Sequence, residues 1–326
     1  MKYDILGLGN PLIDVIIHTQ DDFLAELKID KGTMNLVDEA RQSEILKKSH
    51  AQKWITALGG SCANTMVMIS QLKGNSAYCG KLGMDDLGQD YEAQLLSAGV
   101  TSFLKKQSGA TGSTIILVTP DADRTMNTHL GMCQSLTGED IPLDAVENSQ
   151  YLYIEGYLWD TPSQKEAVTR ALEHAKKKGV KVAMSLSDAF CVERHKTEFQ
   201  NLVENYVDLL FCNEMEAGHM VNRDAPEEQI KELGKNLGHV VLTLGKNGAM
   251  ILNQGQITKI DSFDVEAVDS TGAGDSFAAG YLYGITRDYS VKQAGNLASY
   301  LAATIVSQDG PRFEGDLREK ARKHLL

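Results

Sequence analysis

The chain has 326 residues, 42% of them hydrophobic, with a formal net charge of −12 and an isoelectric point near 5.2. A surface this acidic argues against general binding to nucleic acids or anionic membranes, and no apolar run reaches the ~18 residues needed to span a bilayer. The five cysteines form no CxxC pair and predict a reduced, cytoplasmic protein, and the eight histidines show no HxxxH or HExxH spacing typical of zinc sites.

The N-terminal part of the chain contains strands that interrupt an otherwise alternating strand–helix pattern. Ile13–Thr19 and Thr33–Val37 are predicted strands without an intervening helix, and Ser113–Thr119 and Arg124–His129 are predicted to be the two arms of a hairpin. The hairpin arms flank a strong turn at 120–123. We expect strands from about 13–50 and 110–132 to form a small β-rich lid over the edge of a larger sheet.

The rest of the chain alternates strands with helices. The predicted elements are Tyr151–Gly156, Gln164–Lys178, Val180–Met184, Asp208–Cys212, Pro226–Leu237 and His239–Leu244. Gln164–Lys178 places its apolar residues on one helical face, and Gly179 marks its end. Such alternation predicts an α/β fold, with a doubly wound, mostly parallel sheet flanked by helices. Because no linker divides the chain, we expect residues 1–326 to form a single domain.

The most informative segment is Asp269–Gly280, which reads DSTGAGDSFAAG. An amphipathic helix is predicted directly after it, so Gly272, Ala273 and Gly274 would form the turn at a helix N-terminus. Small residues there let backbone N–H groups approach an anion, and the helix dipole adds roughly half a positive charge. Asp275, in the first helical turn, suits a general base that takes a proton from an attacking hydroxyl. The alternative is an ordinary glycine-rich turn with an acid as helix cap.

This segment closely resembles the C-terminal signature of the ribokinase/PfkB family of carbohydrate and nucleoside kinases. Three further segments, Gly59–Thr65, Asn213–Glu216 and Thr243–Ala249, resemble other motifs of the family in the family's order. The resemblance covers most of the chain. It implies a ribokinase-like fold, a kinase that uses ATP and Mg²⁺, and Asp275 as the catalytic base beside the Gly272–Gly274 turn.

The same resemblance implies two sets of ligand-binding residues. The substrate set is Asn10, Asp14, Gly59, Gly60, Ser61, Asn64, Glu155 and Phe190, and the nucleotide set is Asn213, Thr243, Gly245 and Gly248. Asp14 would hold sugar hydroxyls, and Glu216 would act on the magnesium ion through water. Some relatives bind K⁺ near the positions of Asp269 and Thr271, which the sequence leaves open. Taken alone, most of these positions are typical of packing, turns or solvated helix starts.

Within the family, the chain is most similar to the adenosine kinases. Residues 9–14 resemble their opening, and 185–190 resembles their segment with an adenine-stacking phenylalanine. Two positions depart from the eukaryotic enzymes: Thr271 replaces an asparagine, and Glu155 replaces a small residue where sugar-specific relatives carry a sugar-binding glutamate. We expect phosphorylation of the 5′-hydroxyl of adenosine, with another nucleoside or a ribose- or fructose-like sugar as the alternative substrate. The sequence does not decide between two oligomeric states, a monomer and a homodimer paired through the lid.

Two other classes of function compete with a kinase. Gly7-Leu8-Gly9 after the first strand favours a dinucleotide-binding turn and a nicotinamide-dependent oxidoreductase. However, Leu12 replaces the third glycine of GxGxxG, and Pro11 interrupts the expected helix start. A non-catalytic nucleoside sensor on the same scaffold is the second alternative, although a sensor has no need of Asp275.

Overall fold

The computed structural model describes residues 1–121, 123–308, 310–313 and 315–325. The strands in these ranges are β1 (Tyr3–Leu8), β2 (Leu12–His18), β3 (Met34–Leu36), β4 (Trp54–Leu58), β5 (Ser76–Cys79), β6 (Lys81–Gly83), β7 (Thr101–Ser102), β8 (Lys105–Gln107), β9 (Gly112–Val118), β10 (Arg124–His129), β11 (Ser149–Glu155), β12 (Lys181–Ser185), β13 (Leu209–Asn213), β14 (His239–Thr243), β15 (Ala249–Asn253) and β16 (Gln256–Ile260).

The α-helices are α1 (Asp21–Leu27), α2 (Glu39–Lys48), α3 (Ser61–Gln71), α4 (Asp86–Ser97), α5 (Leu143–Glu147), α6 (Pro162–Lys178), α7 (Ala189–Asn205), α8 (Glu214–Val221), α9 (Pro226–Leu233), α10 (Ala273–Ile285), α11 (Val291–Val306) and α12 (Leu317–Lys320). Short 3₁₀ helices span Gly131–Ser135, Gly138–Asp140, Gly156–Trp159, Gly245–Asn247 and Arg322–His324. Among the described residues, no helix combines the length and apolar character required to cross a bilayer.

The central sheet has nine strands in the order β16-β15-β14-β13-β12-β11-β1-β5-β7. All neighbours from β14 to β7 are parallel, and β15 and β16 add an antiparallel edge. Leu152 and Ile154 of β11 join one large cluster of buried side chains, whereas Tyr151 and Tyr153 join another. Because alternate residues of a strand point to opposite faces, helices and core cover both faces, which confirms the predicted fold class.

The predicted alternation between 151 and 244 is present as β11, α6, β12, β13, α9 and β14. Helix α6 is capped by Thr161, whose side chain accepts from the Gln164 N–H, and it ends at Gly179 in a left-handed conformation with φ 70°. Glycine adopts that conformation without strain, so it terminates the helix where predicted. Helix α9 ends at Leu233, earlier than the predicted Leu237, because Gly234 follows.

A second sheet, which we call the lid sheet, has the strand order β3-β10-β9-β2-β4. The predicted strands are present there as β2, β3, β9 and β10, and β10 pairs with β9 from Arg124 opposite Val118. Ala122, in the predicted turn, lies outside the described residues. Strand β4 also belongs to this sheet, beyond the predicted limit near residue 50. The division of the chain into one domain with a lid stays a prediction.

The prediction that no helix separates the first two lid strands was wrong, because α1 lies between β2 and β3. This helix carries Asp21 and Asp22 in its first turn, where acids favour helix formation. Its buried Leu24 and Leu27 pack with Ile45 of α2 and with apolar side chains of β2 and β9. These two helices therefore cover one face of the lid sheet.

Candidate active site

A cavity of about 270 Å³ lies between the lid sheet and the carboxyl ends of β1 and β11. Ligands of open α/β sheets bind at this edge. The cavity is lined by Asn10, Leu12, Asp14, Met34, Leu36, Gly60, Ser61, Asn64, Thr114, Ile116, Arg124, Met126, Thr128, Leu130, Glu155, Tyr157, Asp160, Thr271 and Asp275. The polar groups come mainly from the central sheet and the helix starts beside it, and the lid sheet contributes most of the apolar ones.

Asp275 lies in the first turn of α10, where α10 begins beside the N-terminus of α3. Its Oδ1 accepts a hydrogen bond from the Ser61 hydroxyl at 2.7 Å, and its Oδ2 accepts one from Asn64 Nδ2 at 3.0 Å. Burial raises the pKa of Asp275, while these two hydrogen bonds and the Arg312 cation oppose the rise. The structure thus brings together three residues that the sequence predicted for one site.

The glycine turn before Asp275 presents an open surface. Gly272 is the N-cap of α10 with φ 78°, and a side chain there would lie 2.9 Å from the Cα of Pro311. At Gly274, by contrast, an added Cβ would have no atom within 4 Å. The Ala273 N–H already donates to the Ser270 carbonyl oxygen at 3.2 Å, so an anion at this turn would be bound by the other N–H groups of the helix start.

Glycines at 59 and 60 are required by the groups that pack against them. A Cβ at Gly59 would collide with the carboxylate of Asp14, and one at Gly60, where φ is 89°, would collide with the Asn10 carbonyl oxygen. Burial raises the pKa of Asp14 to about 7, an effect that nearby Arg312 and Arg124 reduce. The Gly59–Gly60 pair thus allows the Asp14 carboxylate to lie at the start of α3.

Glu155 is a buried acid at the carboxyl end of β11, with only 1% of its surface exposed. Burial raises the pKa of Glu155 to about 8, although the nearby Ser61 hydroxyl and the Cys62 N–H oppose the rise. Its Oε1 has no hydrogen-bond partner among the described residues. Near pH 7 Glu155 therefore carries a proton that it can donate. Asn10 lies at the adjacent strand end, where its Oδ1 accepts a hydrogen bond from Gln164 Nε2 at 2.6 Å.

We expect Glu155→Gln to reduce the loss of stability that the wild-type protein shows as pH rises. Because the pKa of Glu155 is about 8 in the folded state against an ordinary 4.5, the folded state holds this proton more tightly. Stability from this group is complete below pH 4.5 and is lost as pH rises to about 8, by at most about 1.4 kcal/mol per pH unit.

Urea unfolding of both proteins between pH 5.5 and 8.5 measures this difference. Glu266→Gln, at an exposed position, is the control and should keep the wild-type slope. Equal slopes for the wild type and Glu155→Gln would show that Glu155 is already ionised in the folded protein.

On the nucleotide side, Asn213 and Glu216 form a reciprocal cap at the start of α8. The Asn213 N–H and Nδ2 donate to the two carboxylate oxygens of Glu216 at 3.0 and 2.7 Å, and the Glu216 N–H donates to Asn213 Oδ1 at 2.9 Å. Glu216 is 5% exposed, and burial, together with the charge of Asp188, raises its pKa to about 7. The alternative that Glu216 is only a solvent-exposed acid at a helix start is therefore wrong.

Asp188 and Glu216 are the acids that would hold magnesium. Asp188 caps α7 by accepting from the Cys191 N–H at 2.6 Å, and its Oδ2 is buried without a hydrogen-bond partner among the described residues. Within the described ranges no group of three or more His, Cys, Asp and Glu is arranged to hold a metal. Magnesium keeps several waters and binds nucleotide phosphates directly, so a pair of acids with an unused oxygen fits this ion.

The other predicted nucleotide residues lie on the same side of the sheet. Thr243 ends β14 opposite Asn213 of β13, and Gly245 is exposed with open space around its Cα. Gly248 has φ 84°, and a Cβ at this position would collide with the Ile260 carbonyl oxygen. Phe190, predicted to stack on a base, is 46% exposed in the first turn of α7 and does not line the cavity.

The potassium site suggested near Asp269 does not fit the residues present. Asp269 accepts from the Thr271 N–H at 2.8 Å and the Gly310 N–H at 3.0 Å, and it forms an ion pair with Arg124 at 2.5 Å. Its charge is therefore already compensated by a guanidinium, and we assign no step to a monovalent cation.

Several residues of the site were not predicted from the sequence. Arg124 of β10 links the lid sheet to the Asp269 loop, and Arg312 Nε donates to Asn64 Oδ1 at 3.0 Å. Neither arginine belongs to a local pattern that would have marked it. The apolar lid residues that line the cavity could have been found, because they alternate along their strands: they are Leu12, Met34, Leu36, Ile116, Met126 and, beyond β10, Leu130.

Comparison with known proteins gives the family of the chain. Residues 26–316 match the model described as pfkB family carbohydrate kinase. The structure of adenosine kinase from Sinorhizobium meliloti is 35% identical over 100% of both chains, with a TM-score of 0.94. A probable sugar kinase from Rhizobium etli CFN 42 is also 35% identical, over 99% of this chain and 98% of that one, with a TM-score of 0.94. Adenosine kinase 2 from Arabidopsis thaliana is 24% identical over 95% of this chain and 96% of that protein.

The matched segment includes all four motifs and most of the residues that line the cavity. The two bacterial structures share the mostly parallel sheet with flanking helices, so the predicted ribokinase-like fold is confirmed. By its fold, its motifs and these relatives, the chain belongs to the pfkB family of carbohydrate kinases.

Proposed function

We propose that this kinase transfers the γ-phosphoryl group of MgATP to the 5′-hydroxyl of a nucleoside, with adenosine as the preferred substrate. The observation that carries the proposal is the division of the cavity. The lining groups Asp14, Asn64 and Asp275 suit a ribose and its reactive hydroxyl, and the strands of the lid sheet add most of the apolar lining. A nucleoside has the same two parts, because a flat base is joined to a polar sugar. Adenosine kinases among the relatives support this choice.

In this mechanism Asp275 accepts the proton of the primary hydroxyl as the new O–P bond forms and the bond to the departing ADP oxygen breaks. The N–H groups of the helix start other than that of Ala273, which is bonded to the Ser270 carbonyl oxygen, donate to the transferred phosphoryl group. Asp14 holds the sugar hydroxyls. Magnesium, when bound near Asp188 and Glu216, supplies positive charge to the phosphates. Because burial raises the pKa of Asp275, this carboxylate is a stronger base than an exposed aspartate.

The lid sheet would exclude water from this reaction. It covers the cavity, and the Arg124–Asp269 ion pair connects it to the loop that leads into the glycine turn. When water is excluded, ATP is not hydrolysed while the acceptor hydroxyl is absent from the site.

A sugar kinase is the second candidate, and Glu155 favours it. This buried acid lies at the sugar end of the cavity, where it could donate a hydrogen bond to one more hydroxyl than a nucleoside offers. The similarity to a probable sugar kinase points in the same direction. Both candidates use the same reaction and the same base.

The test is an assay of ADP release with ATP, Mg²⁺ and one acceptor at a time: adenosine, inosine, guanosine, ribose or fructose. We expect kcat/KM for adenosine to exceed that for ribose by ~10-fold or more, because apolar contacts with the base add about 1–3 kcal/mol. A preference for ribose or fructose would replace the nucleoside with a sugar. Binding of adenosine without any ADP release would indicate a sensor.

A further inference from the structure

Arg312 belongs to a chain of hydrogen bonds that leads through Asn64 to Asp275. Its Nε donates to Asn64 Oδ1, and Asn64 Nδ2 in turn donates to Asp275 Oδ2, both at 3.0 Å. Because an arginine only donates, the amide oxygen of Asn64 must face it, and the amide nitrogen must then face Asp275. This pair of hydrogen bonds orients the carboxylate of Asp275.

The backbone beside Arg312 also packs on the glycine turn. Pro311 lies against Gly272, where a side chain on the glycine would be 2.9 Å from the proline Cα. The N–H of Gly310 donates to Asp269, at the other end of the same turn. The segment that carries Arg312 is therefore fixed to the glycine turn before Asp275.

A second, independent observation concerns the other end of the side chain. Arg312 Nη2 is buried and has no hydrogen-bond partner among the described residues. Buried donors almost always have an acceptor, and a guanidinium stays charged, so this atom requires an oxygen that a ligand would supply. Carboxylate and phosphate oxygens are the acceptors that match a planar guanidinium, and beside the helix start of the glycine turn a kinase substrate would supply phosphate.

We propose that Arg312 binds the phosphoryl group in transit between ATP and the acceptor, and that it also positions Asn64 and Asp275 for the transfer. Nη2 donates to an oxygen of this phosphoryl group while Nε holds Asn64. The inference rests on the proposed kinase function and adds a phosphate-binding residue to it. After transfer, the same contact is made by the phosphate of the product, so the contact can be measured without turnover.

The test is calorimetric titration of AMP and of adenosine into the wild type, Arg312→Gln and Arg312→Lys, with ATP absent. We expect Arg312→Gln to bind adenosine within about twofold of wild type and AMP ~10- to 100-fold more weakly, the effect of one charged hydrogen bond. Arg312→Lys should fall between them, because it keeps the charge without the planar pair of donors. Arg318→Gln, an exposed arginine of α12, is the control and should match wild type.

The pH profile gives a readout that a structural role would not move. The titratable and charged groups that interact with the Asp275 carboxylate include Asp14, Glu155 and Arg312, and Arg124 interacts with Asp14 in turn. Arg312 lowers the pKa of both Asp275 and Asp14, so its removal raises both. We therefore expect the acid limb of kcat/KM to move to higher pH in Arg312→Gln and to stay near its wild-type position in Arg312→Lys.

Each failure has a distinct result. Equal losses of adenosine and AMP affinity in Arg312→Gln, or no loss of either, would overturn the role of Arg312 while wild-type turnover leaves the kinase intact. Wild-type turnover of a sugar but of no nucleoside would overturn the proposed substrate, and the titration would then use that sugar and its phosphate. A wild-type protein that binds no phosphomonoester would exclude both proposals.

Discussion

Asp275→Asn should lower kcat by ~10²–10⁴, with ATP and adenosine bound nearly as tightly as by the wild type. The amide has the shape of the carboxylate, and its oxygen can still accept the hydrogen bond from Ser61. Its nitrogen would face the Nδ2 donor of Asn64, so a small loss of stability is also expected. What the variant lacks is a group that can take the proton of the acceptor hydroxyl. Steady-state ADP release and calorimetric titration of both ligands measure the two halves of this prediction.

The control for this experiment is Asp264→Asn, at an exposed acid in the loop before the glycine turn. It removes the same charge from the same part of the chain and should leave kcat unchanged. Turnover of Asp275→Asn at the wild-type rate would assign the base to another residue. A large loss of ATP affinity in this variant would instead show that Asp275 acts in nucleotide binding.

Asp14→Ala should raise KM for the acceptor by ~10- to 100-fold with kcat changed only a few-fold. Hydrogen bonds from sugar hydroxyls to a carboxylate contribute about 1.5–3 kcal/mol each. Because these bonds are made equally in the ground state and the transition state, their loss appears in KM. The measurement is a set of initial rates with adenosine varied at saturating MgATP.

The same variant should be no less stable than the wild type at pH 8. Burial raises the pKa of Asp14 to about 7 in the folded protein, so its ionisation above that pH costs folding free energy that alanine does not. Asp264→Ala, at an exposed acid in the loop before the glycine turn, is the matched control. A lower midpoint of thermal unfolding for Asp14→Ala at pH 8, together with an unchanged KM, would give Asp14 a structural role in place of substrate binding.

Part of the site can be predicted from the sequence because its residues are close together along the chain. The turn at Gly272–Gly274 and Asp275 form one contiguous helix start, and the Gly59–Gly60 pair with Asn64 forms another. A helix start needs no distant residue to expose its N–H groups, so its chemistry follows from local spacing. The alternation of strands and helices is local in the same way, and it correctly predicted strands β11, β12, β13 and β14 of the central sheet.

The protonation of the acids, by contrast, was decided by tertiary structure. Glu155 and Glu216 have pKa values raised to about 8 and about 7 because folding buries them, and nothing beside them in the chain signals that burial. The short helix α1 was missed for a related reason. Its seven residues have too few turns for a clear pattern, and it is stable because it packs on the lid sheet.

The sequence by itself determined the fold class, the family motifs, the glycine turn at a helix start and the candidate base, since each depends on residues close together in the chain. Only the tertiary structure placed Arg312 on Asn64 and Arg124 on Asp269. These contacts join segments that lie far apart in sequence, in loops and strand ends whose residues show no periodicity. Their positions follow from the packing of whole elements, which no local pattern specifies.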